Sequence, residues 1–170
     1  MHQYDYVIVG AGSAGSALAS RLSESGKFTV CLLEAGGSDK KFWVQMPLGY
    51  GKVFHDPSVN WRYMTEPEPN LDNQSVYWPR GKVLGGSSSI NAMVWVRGHK
   101  RDYEEWASVA PGWDWNNVQK IFNRIENWDG TSDVSRGMNG PQAVHDVSSD
   151  VHPLTISYLE AASQIGIKTN

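Results

Sequence analysis

Residues 4–34 read YDYVIVGAGSAGSALASRLSESGKFTVCLLE, and this stretch decides the fold of the chain. The apolar, β-branched run Tyr6–Val9 is typical of a fully buried parallel strand. The glycine-rich residues 10–15 predict a tight turn into a helix, because apolar residues at helical spacing follow them as far as a stop at Gly26. Residues 28–33 form the predicted second strand. The pattern is strand, glycine turn, helix, strand.

The glycine turn has the spacing G-x-G-x-x-G, which is typical of dinucleotide binding. Gly10 permits the tight turn, Gly12 lets the main chain approach a pyrophosphate, and Gly15 lets the helix pack against the sheet. The helix N-terminus offers free N–H groups and a partial positive charge to the phosphates. The second strand ends on Glu34, where a carboxylate accepts hydrogen bonds from an adenosine ribose and would repel the 2′-phosphate of NADP. This fingerprint alone fits both FAD and NAD.

Composition narrows the class of protein. The chain has 170 residues, 19% of them charged, and a formal net charge of −3, which is typical of a soluble globular protein. It has no Lys/Arg cluster for nucleic acid, no apolar run of transmembrane length and no room for a signal peptide before the first strand. The single cysteine, Cys31, allows no disulfide within the chain. We therefore expect a cytoplasmic protein with no nucleic-acid partner and no metal site. Peripheral membrane association stays open.

The chain after residue 38 predicts few further strands. Residues 39–80 form a long excursion rich in glycine, proline and aromatic residues, with an edge strand at Trp61–Thr65. Further predicted elements are a surface helix at 101–107, a helix capped by Asp114 with a core-packing stripe at Val118, Ile121, Phe122 and Ile125, a polar connection at 129–152 and a helix at 153–166. An open doubly wound sheet needs more than two clear strands. The chain is therefore expected to be the front part of a larger or split protein, incomplete on its own.

A second glycine-rich stretch, PRGKVLGGSSSIN at residues 79–91, is the other informative segment. Its small residues, N–H groups and hydroxyls suit close contact with a flat polar ring and hydrogen bonds to its edge. The alternative is an ordinary serine-rich loop, and the chemistry of the residues alone favours neither.

Five segments carry a resemblance that spans nearly the whole chain: DYVIVGAGSAGSALASRL, LLEAGG, VNWRYMTEPEPNLDNQSVYWPRGKVLGGSSSINAMVWVRGHKRDYEEWA, PGWDWNNVQKIFNRIEN and GPQAVHDVSSDVHPL. They resemble the glucose–methanol–choline (GMC) family of flavoprotein oxidoreductases, and within it the bacterial members similar to choline dehydrogenase and primary-alcohol dehydrogenases. Residues Gly81–Glu104 match the first signature of that family at every position. The resemblance implies an α/β fold. Residues 1–140 would be the N-terminal part of a Rossmann-like FAD-binding domain, and residues 141–170 the start of an α+β substrate-binding domain.

The resemblance also implies FAD as the cofactor and assigns residues to it. The pyrophosphate would be held by Gly10, Gly12, Ser13, Ala14 and Gly15. The adenosine ribose would be held by Glu34 and Ala35. The cofactor would be lined, toward its isoalloxazine end, by Trp61, Val83, Ser87, Asn91, Ala92, Met93 and Val94. Some family members attach the flavin through a histidine in this signature, and Ser89–Val94 contains none, so we expect non-covalent FAD.

The activity implied by the resemblance is oxidation of an alcohol to an aldehyde or ketone, with hydride transfer to flavin N5 and oxygen or a quinone-type compound as electron acceptor. The catalytic histidine of the family lies near the C-terminus of the complete enzyme, so no catalytic residue is assigned here. The remaining C-terminal polypeptide of the enzyme is the expected partner. The histidines of this chain are expected to be surface or capping residues: His2, His55, His99, His145 and His152.

Two alternatives to alcohol oxidation stay open. One is a flavin-dependent lyase or photoenzyme of the same family, which anaerobic reduction of the flavin by a primary alcohol would distinguish. The other is a stand-alone dinucleotide-binding or interaction module, which would fold and bind a dinucleotide without any other polypeptide.

Overall fold

A computed structural model of the chain describes residues 2–131 and 133–168. The chain falls into two compact units, one ending at Val94 and the other beginning at Trp95. The first unit contains β1 (Tyr6–Val9), α1 (Ser13–Ser23), β2 (Val30–Leu33), α2 (Phe42–Gln45), α3 (Tyr50–Val53), β3 (Tyr63–Met64), β4 (Tyr77–Trp78) and 3₁₀ turns at Pro47–Gly49, Pro69–Leu71 and Gly86–Ser89. The second contains α4 (Lys100–Ala107), α5 (Trp115–Ile125), β5 (Glu126–Trp128), β6 (Gln142–Val144) and α6 (Pro153–Gln164). The expected domain boundary after residue 140 concerns the complete protein and stays a prediction.

The strand–helix–strand unit forms as the sequence predicts. β1 and β2 lie parallel, with Tyr6 opposite Val30 and Val9 opposite Leu33, and α1 connects them. The second strand begins at Val30 instead of residue 28. The residue just before the strand, Thr29, donates a hydrogen bond from its N–H to Asp5 Oδ2 at 2.7 Å.

The prediction of a fully buried first strand is wrong for the described residues. Ile8 is buried, but Val9 is 84% exposed. Within the described part of the chain, β1 and β2 form a sheet of two strands, so no third strand covers the free edge. An apolar strand of this kind is normally buried on both faces by further elements.

The core of the first unit lies between the excursion and the second glycine-rich stretch. Val53 and Val59 from the excursion pack with Val83 and Ile90, and Val44 lies against them. This apolar contact fixes the second glycine-rich stretch against the excursion.

The predicted edge strand at Trp61–Thr65 is shorter in the structure. β3 covers Tyr63–Met64 and pairs antiparallel with β4. Arg62 has a φ of +55°, in the left-handed region, so an extended strand cannot run through it. The strand therefore begins only after this residue.

The second unit contains the three predicted helices and a strand pair that the sequence did not indicate. Asp114 caps α5 by accepting a hydrogen bond from the Asn117 N–H at 3.2 Å, and Val118 on the apolar stripe is buried. α6 ends at Gln164, slightly before the predicted end at residue 166. The predicted polar connection contains β6, which pairs parallel with β5. Neither three-residue strand has the apolar alternation that marks a strand in a sequence.

Candidate functional site

The two glycine-rich stretches are in direct contact through their main chains. The Gly85 N–H donates a hydrogen bond to the Ala11 carbonyl oxygen at 2.8 Å, and Gly12 pairs with Gly85 in a parallel bridge. A Cβ atom on Gly86 would lie 2.8 Å from the Gly12 Cα, and Gly86 has a φ of +60°. Only glycine combines this backbone conformation with so close an approach.

A cavity of about 590 Å³ opens beside this contact. We call it the groove. It is lined by both glycine loops, the carboxyl ends of β1 and β2, and residues of the excursion: Val9, Gly10, Gly12, Leu33, Glu34, Ala35, Trp61, Tyr63, Arg80, Gly81, Gly86 and Ser87. The groove brings together six residues that the family resemblance assigns to the cofactor, namely Gly10, Gly12, Glu34, Ala35, Trp61 and Ser87.

Glu34 is anchored at the end of β2 by two main-chain donors. Its Oε2 accepts a hydrogen bond from the Ala11 N–H at 2.8 Å, and its Oε1 accepts one from the Gly36 N–H at 2.8 Å. Each carboxylate oxygen can accept a further hydrogen bond. The carboxylate is thus held in one orientation and retains acceptor capacity toward the groove.

Three predicted phosphate-binding residues, Ser13, Ala14 and Gly15, form the first turn of α1 and do not line the groove. Gly12 at the N-cap has no side chain, so it caps none of the first amide groups of α1. A Cβ atom on Gly15 would lie 1.9 Å from the Gly10 carbonyl oxygen and 3.3 Å from Ile8 Cγ2. Gly15 therefore allows the glycine turn to close on itself as well as to lie against β1.

The structure places the remaining predicted residues elsewhere. Asn91 and Met93 line a smaller cavity of about 120 Å³. The Val83 side chain is fully buried in the core, so any contact with a ligand would fall to its main chain. Ala92 and Val94 are exposed and line neither cavity.

Several groove residues were not assigned from the sequence. Val9 and Leu33 end the parallel strands, and the rule that ligands bind beyond the carboxyl ends of such strands could have found them. Arg80, Gly81 and Gly86 lie in the second glycine-rich stretch, which was singled out without these residues being assigned. No sequence signal indicated Tyr63.

Aromatic and cationic side chains form one wall of the groove. Trp61 is 42% exposed and stacks on Tyr63, with ring centroids 5.9 Å apart and an interplanar angle of 6°. The Lys82 Nζ lies 4.6 Å from the centroid of the Trp61 ring. Arg80 also lines the groove, with its guanidinium carbon 4.9 Å from the centroid of the Trp78 ring. The flat Trp61 ring thus has the Lys82 charge against it, and a second cation lies nearby in the sequence.

The second unit contains a buried ionic cluster of a different kind, which we call the Glu126 cluster. The Glu126 carboxylate is fully buried and contacts the guanidinium groups of Arg97 and of Arg136, the latter at 3.1 Å. It also accepts hydrogen bonds from Trp95 Nε1 at 2.9 Å and from the Gly137 N–H at 3.0 Å. Burial raises the pKa of Glu126, but the Gly137 N–H and the two guanidinium charges outweigh it and leave that pKa below its ordinary value.

The histidines support the prediction that they are surface or capping residues. His99 caps α4 by accepting from the Arg101 N–H at 3.2 Å, and His152 caps α6 by accepting from the Leu154 N–H at 3.2 Å. His145, an exposed residue, is paired with Asp129. Among residues 2–131 and 133–168, no cluster of histidine, cysteine and acidic side chains could hold a metal ion. Within the same ranges, every helix is too short or too polar to cross a membrane.

Comparison with known proteins places these features in a family. A family model described as GMC oxidoreductase matches residues 4–170. The oxygen-dependent choline dehydrogenase of Photobacterium profundum is 46% identical over 165 residues, which is 96% of this chain and 29% of that protein. Among solved structures, pyridoxine 4-oxidase from Mesorbium loti is 34% identical with a TM-score of 0.88, covering 96% of this chain and 32% of that one. An FAD-dependent oxidoreductase from Chaetomium thermophilum is 30% identical with a TM-score of 0.80, covering 96% and 30%.

The chain therefore spans about three-tenths of the length of the relatives it matches. The matching family and the FAD-dependent neighbour support FAD as its cofactor. With the family model covering the chain from residue 4 to residue 170, this chain belongs to the GMC oxidoreductase family.

Proposed function

We propose that this chain supplies the N-terminal, FAD-binding part of an enzyme that oxidises an alcohol to an aldehyde or ketone. The observation that carries the proposal is the main-chain contact between the two glycine-rich stretches, with the groove beside it. The bacterial relative is named a choline dehydrogenase and the structural neighbour a pyridoxine 4-oxidase, and both names describe oxidation of a hydroxyl-bearing compound.

The residues present fit the proposed cofactor. A Cβ atom at Gly86 would clash with Gly12 of the opposite loop, and one at Gly15 would clash with Gly10 of the same turn, so both glycines are needed for the loop geometry that a diphosphate site requires. Glu34, fixed by two main-chain donors, can accept hydrogen bonds from ribose hydroxyls. Together with Gly12, Ser13 and Ala14 at the start of α1, these residues would hold the adenosine diphosphate half in a Rossmann-like arrangement.

The flavin half would extend toward Ser87 and Asn91–Val94. When bound, FAD supplies a ring whose N5 accepts hydride from the carbinol carbon. The role of this chain is to bind and orient that ring, and the proton of the alcohol would be removed by a residue of the remaining polypeptide. No catalytic residue is assigned here, and either oxygen or a quinone-type compound would be the final acceptor. Because residues 89–94 contain no histidine, the proposed attachment is non-covalent.

The test uses the complete polypeptide that contains this chain. Purified protein should show a flavin absorbance spectrum that a primary alcohol bleaches under anaerobic conditions. After denaturation, free FAD should appear in the supernatant and the protein mass should carry no FAD increment. Flavin that no alcohol bleaches would contradict alcohol oxidation and favour the lyase or photoenzyme alternative. Protein-bound FAD after denaturation would contradict the non-covalent attachment alone.

A further inference from the structure

A buried asparagine beneath the aromatic wall of the groove carries an inference of its own. Asn60 is 2% exposed and lies immediately before Trp61. Buried polar side chains are costly unless they are hydrogen-bonded, so a residue of this kind is expected to hold its surroundings in place.

Asn60 joins three separate segments of the first unit. Its Oδ1 accepts hydrogen bonds from the Arg62 N–H at 2.9 Å and from the Arg80 N–H at 3.0 Å. Its Nδ2 donates to the Phe54 carbonyl oxygen at 2.8 Å. One side chain therefore ties the excursion before the wall, the wall itself and the second glycine-rich stretch together.

Main-chain hydrogen bonds complete this clamp. The Trp61 N–H donates to the Arg80 carbonyl oxygen at 2.9 Å, and the Lys82 N–H donates to the Val59 carbonyl oxygen at 2.7 Å. Arg62 has a φ of +55°, a left-handed backbone conformation that is strained in a non-glycine residue. The bond from its N–H to Asn60 Oδ1 supports that strained conformation and so fixes the direction in which Trp61 leaves the main chain.

We propose that Asn60 is a positioning residue for the cofactor site, setting the orientation of Trp61 and Arg80 toward the groove. This inference rests on the proposed function, since it takes FAD as the occupant of the groove. Asn60 does not line the groove itself and acts through the two residues that it holds.

The experiment compares FAD affinity among variants of the complete enzyme. Deflavinated protein is titrated with FAD, and the dissociation constant is read from quenching of flavin fluorescence. Asn60→Ala should raise the Kd for FAD about tenfold, the lower end of the loss seen when supporting residues are removed at metal sites. Asn60→Asp keeps an acceptor for the Arg62 and Arg80 N–H groups. It replaces Nδ2, which donates to the Phe54 carbonyl and the Tyr77 hydroxyl, by an oxygen that cannot donate, so its Kd should lie between those of wild type and Asn60→Ala.

Tyr77→Phe is the matched control. The Tyr77 hydroxyl also donates to the Phe54 carbonyl oxygen and accepts a long hydrogen bond from Asn60 Nδ2 at 3.5 Å, but it contacts neither the Arg62 N–H nor the Arg80 N–H. Its loss should lower the unfolding midpoint in urea and leave the Kd for FAD within about twofold of wild type. A purely structural role for Asn60 would instead give the same change in Kd for Asn60→Ala and Tyr77→Phe.

Each outcome decides the inference. A raised Kd in Asn60→Ala with an unchanged Kd in Tyr77→Phe supports it. Equal Kd values for wild type and Asn60→Ala, or equal increases in both variants, overturn it. If Asn60→Ala does not fold, Asn60→Ser, whose shorter side chain cannot span both N–H groups, takes its place under the same criteria. Wild-type protein that binds FAD but is not reduced by an alcohol would contradict the proposed function and leave the role of Asn60 to be decided by the Kd values.

Discussion

The two units hold distant segments together by opposite means. In the first unit, the glycine loops meet through main-chain atoms at Gly12, Gly85 and Gly86, and the groove opens beside this contact. In the second unit, the buried Glu126 carboxylate draws in two arginines and a tryptophan, and side chains fill the space between the segments. Contact through glycines leaves an open groove, whereas contact through the buried carboxylate fills the junction with side chains.

Breaking the Glu126 cluster gives the largest expected effect. Glu126→Ala leaves Arg97 and Arg136 without their carboxylate and should lower the free energy of unfolding by about 3–5 kcal/mol, because removing one partner strands buried charge. Urea unfolding measures this change. In the exposed Arg101–Glu105 pair, Glu105→Ala should cost less than about 1 kcal/mol. Equal losses at the two sites would show that burial does not decide the strength of the Glu126 cluster.

Adding a side chain at Gly86 tests the main-chain contact between the two glycine-rich stretches of the first unit. Gly86→Ala places a Cβ atom 2.8 Å from the Gly12 Cα at a φ of +60°, so the two loops must separate. We expect the Kd for FAD to rise at least about tenfold, which corresponds to about 1.4 kcal/mol. Gly51→Ala in α3, where nothing lies within 4 Å of the added Cβ atom, should leave the Kd unchanged and raise stability slightly. An unaltered Kd in Gly86→Ala would show that FAD binding does not depend on the close contact between Gly86 and Gly12.

The pH dependence of stability sharpens the description of the Glu126 cluster. The folded-state pKa of Glu126 lies below its ordinary value, so its contribution is complete above the unfolded-state pKa of about 4.3 and is lost as the pH falls through the folded-state pKa. The stability difference between wild type and Glu126→Gln should therefore stay constant from about pH 7 to about pH 5 and narrow as the pH falls below about 4.3. Urea unfolding at each pH gives the difference. If the stability difference between wild type and Glu126→Gln instead widened in acid, the folded protein would have to raise the pKa of Glu126.

The smallest expected effect concerns the strained residue beside the aromatic wall. At Arg62, with φ of +55°, glycine should give a protein about 1 kcal/mol more stable than alanine does, because only glycine adopts this conformation without strain. At Lys52, within α3, the order should reverse, with alanine more stable by about 0.5–1 kcal/mol. Thermal or urea unfolding of the four variants measures both differences. If the same residue, glycine or alanine, gave the more stable protein at both positions, the left-handed backbone of Arg62 would not be strained.

The sequence predicted the first unit better than the second, and the physical reason lies in the kind of contact. A glycine at a fixed spacing after an apolar strand is visible in the sequence, so the β1–α1–β2 unit and the Glu34 carboxylate were found. The Glu126 cluster joins charged residues from separate segments, and no local pattern pairs Arg97 with Glu126. The β5–β6 pair was missed for the same reason, because it depends on contacts between segments instead of on apolar alternation.

Asn60 shows the same limit within the first unit. In the sequence it is one polar residue between Val59 and Trp61, and nothing local separates it from a surface asparagine. Its burial follows from the meeting of the excursion with the second glycine-rich stretch. Such a residue becomes visible only once the two segments are brought together.

The hydrogen bond from the Gly85 N–H to the Ala11 carbonyl also bears on the order of events at the ribosome. Translation delivers β1, α1 and β2 well before the stretch that completes the groove. Val9 stays 84% exposed in the described residues even with that stretch in place, and exposed apolar strand surface of this kind is prone to aggregate. The groove needs both glycine-rich stretches, so it cannot form before the second of them has been translated.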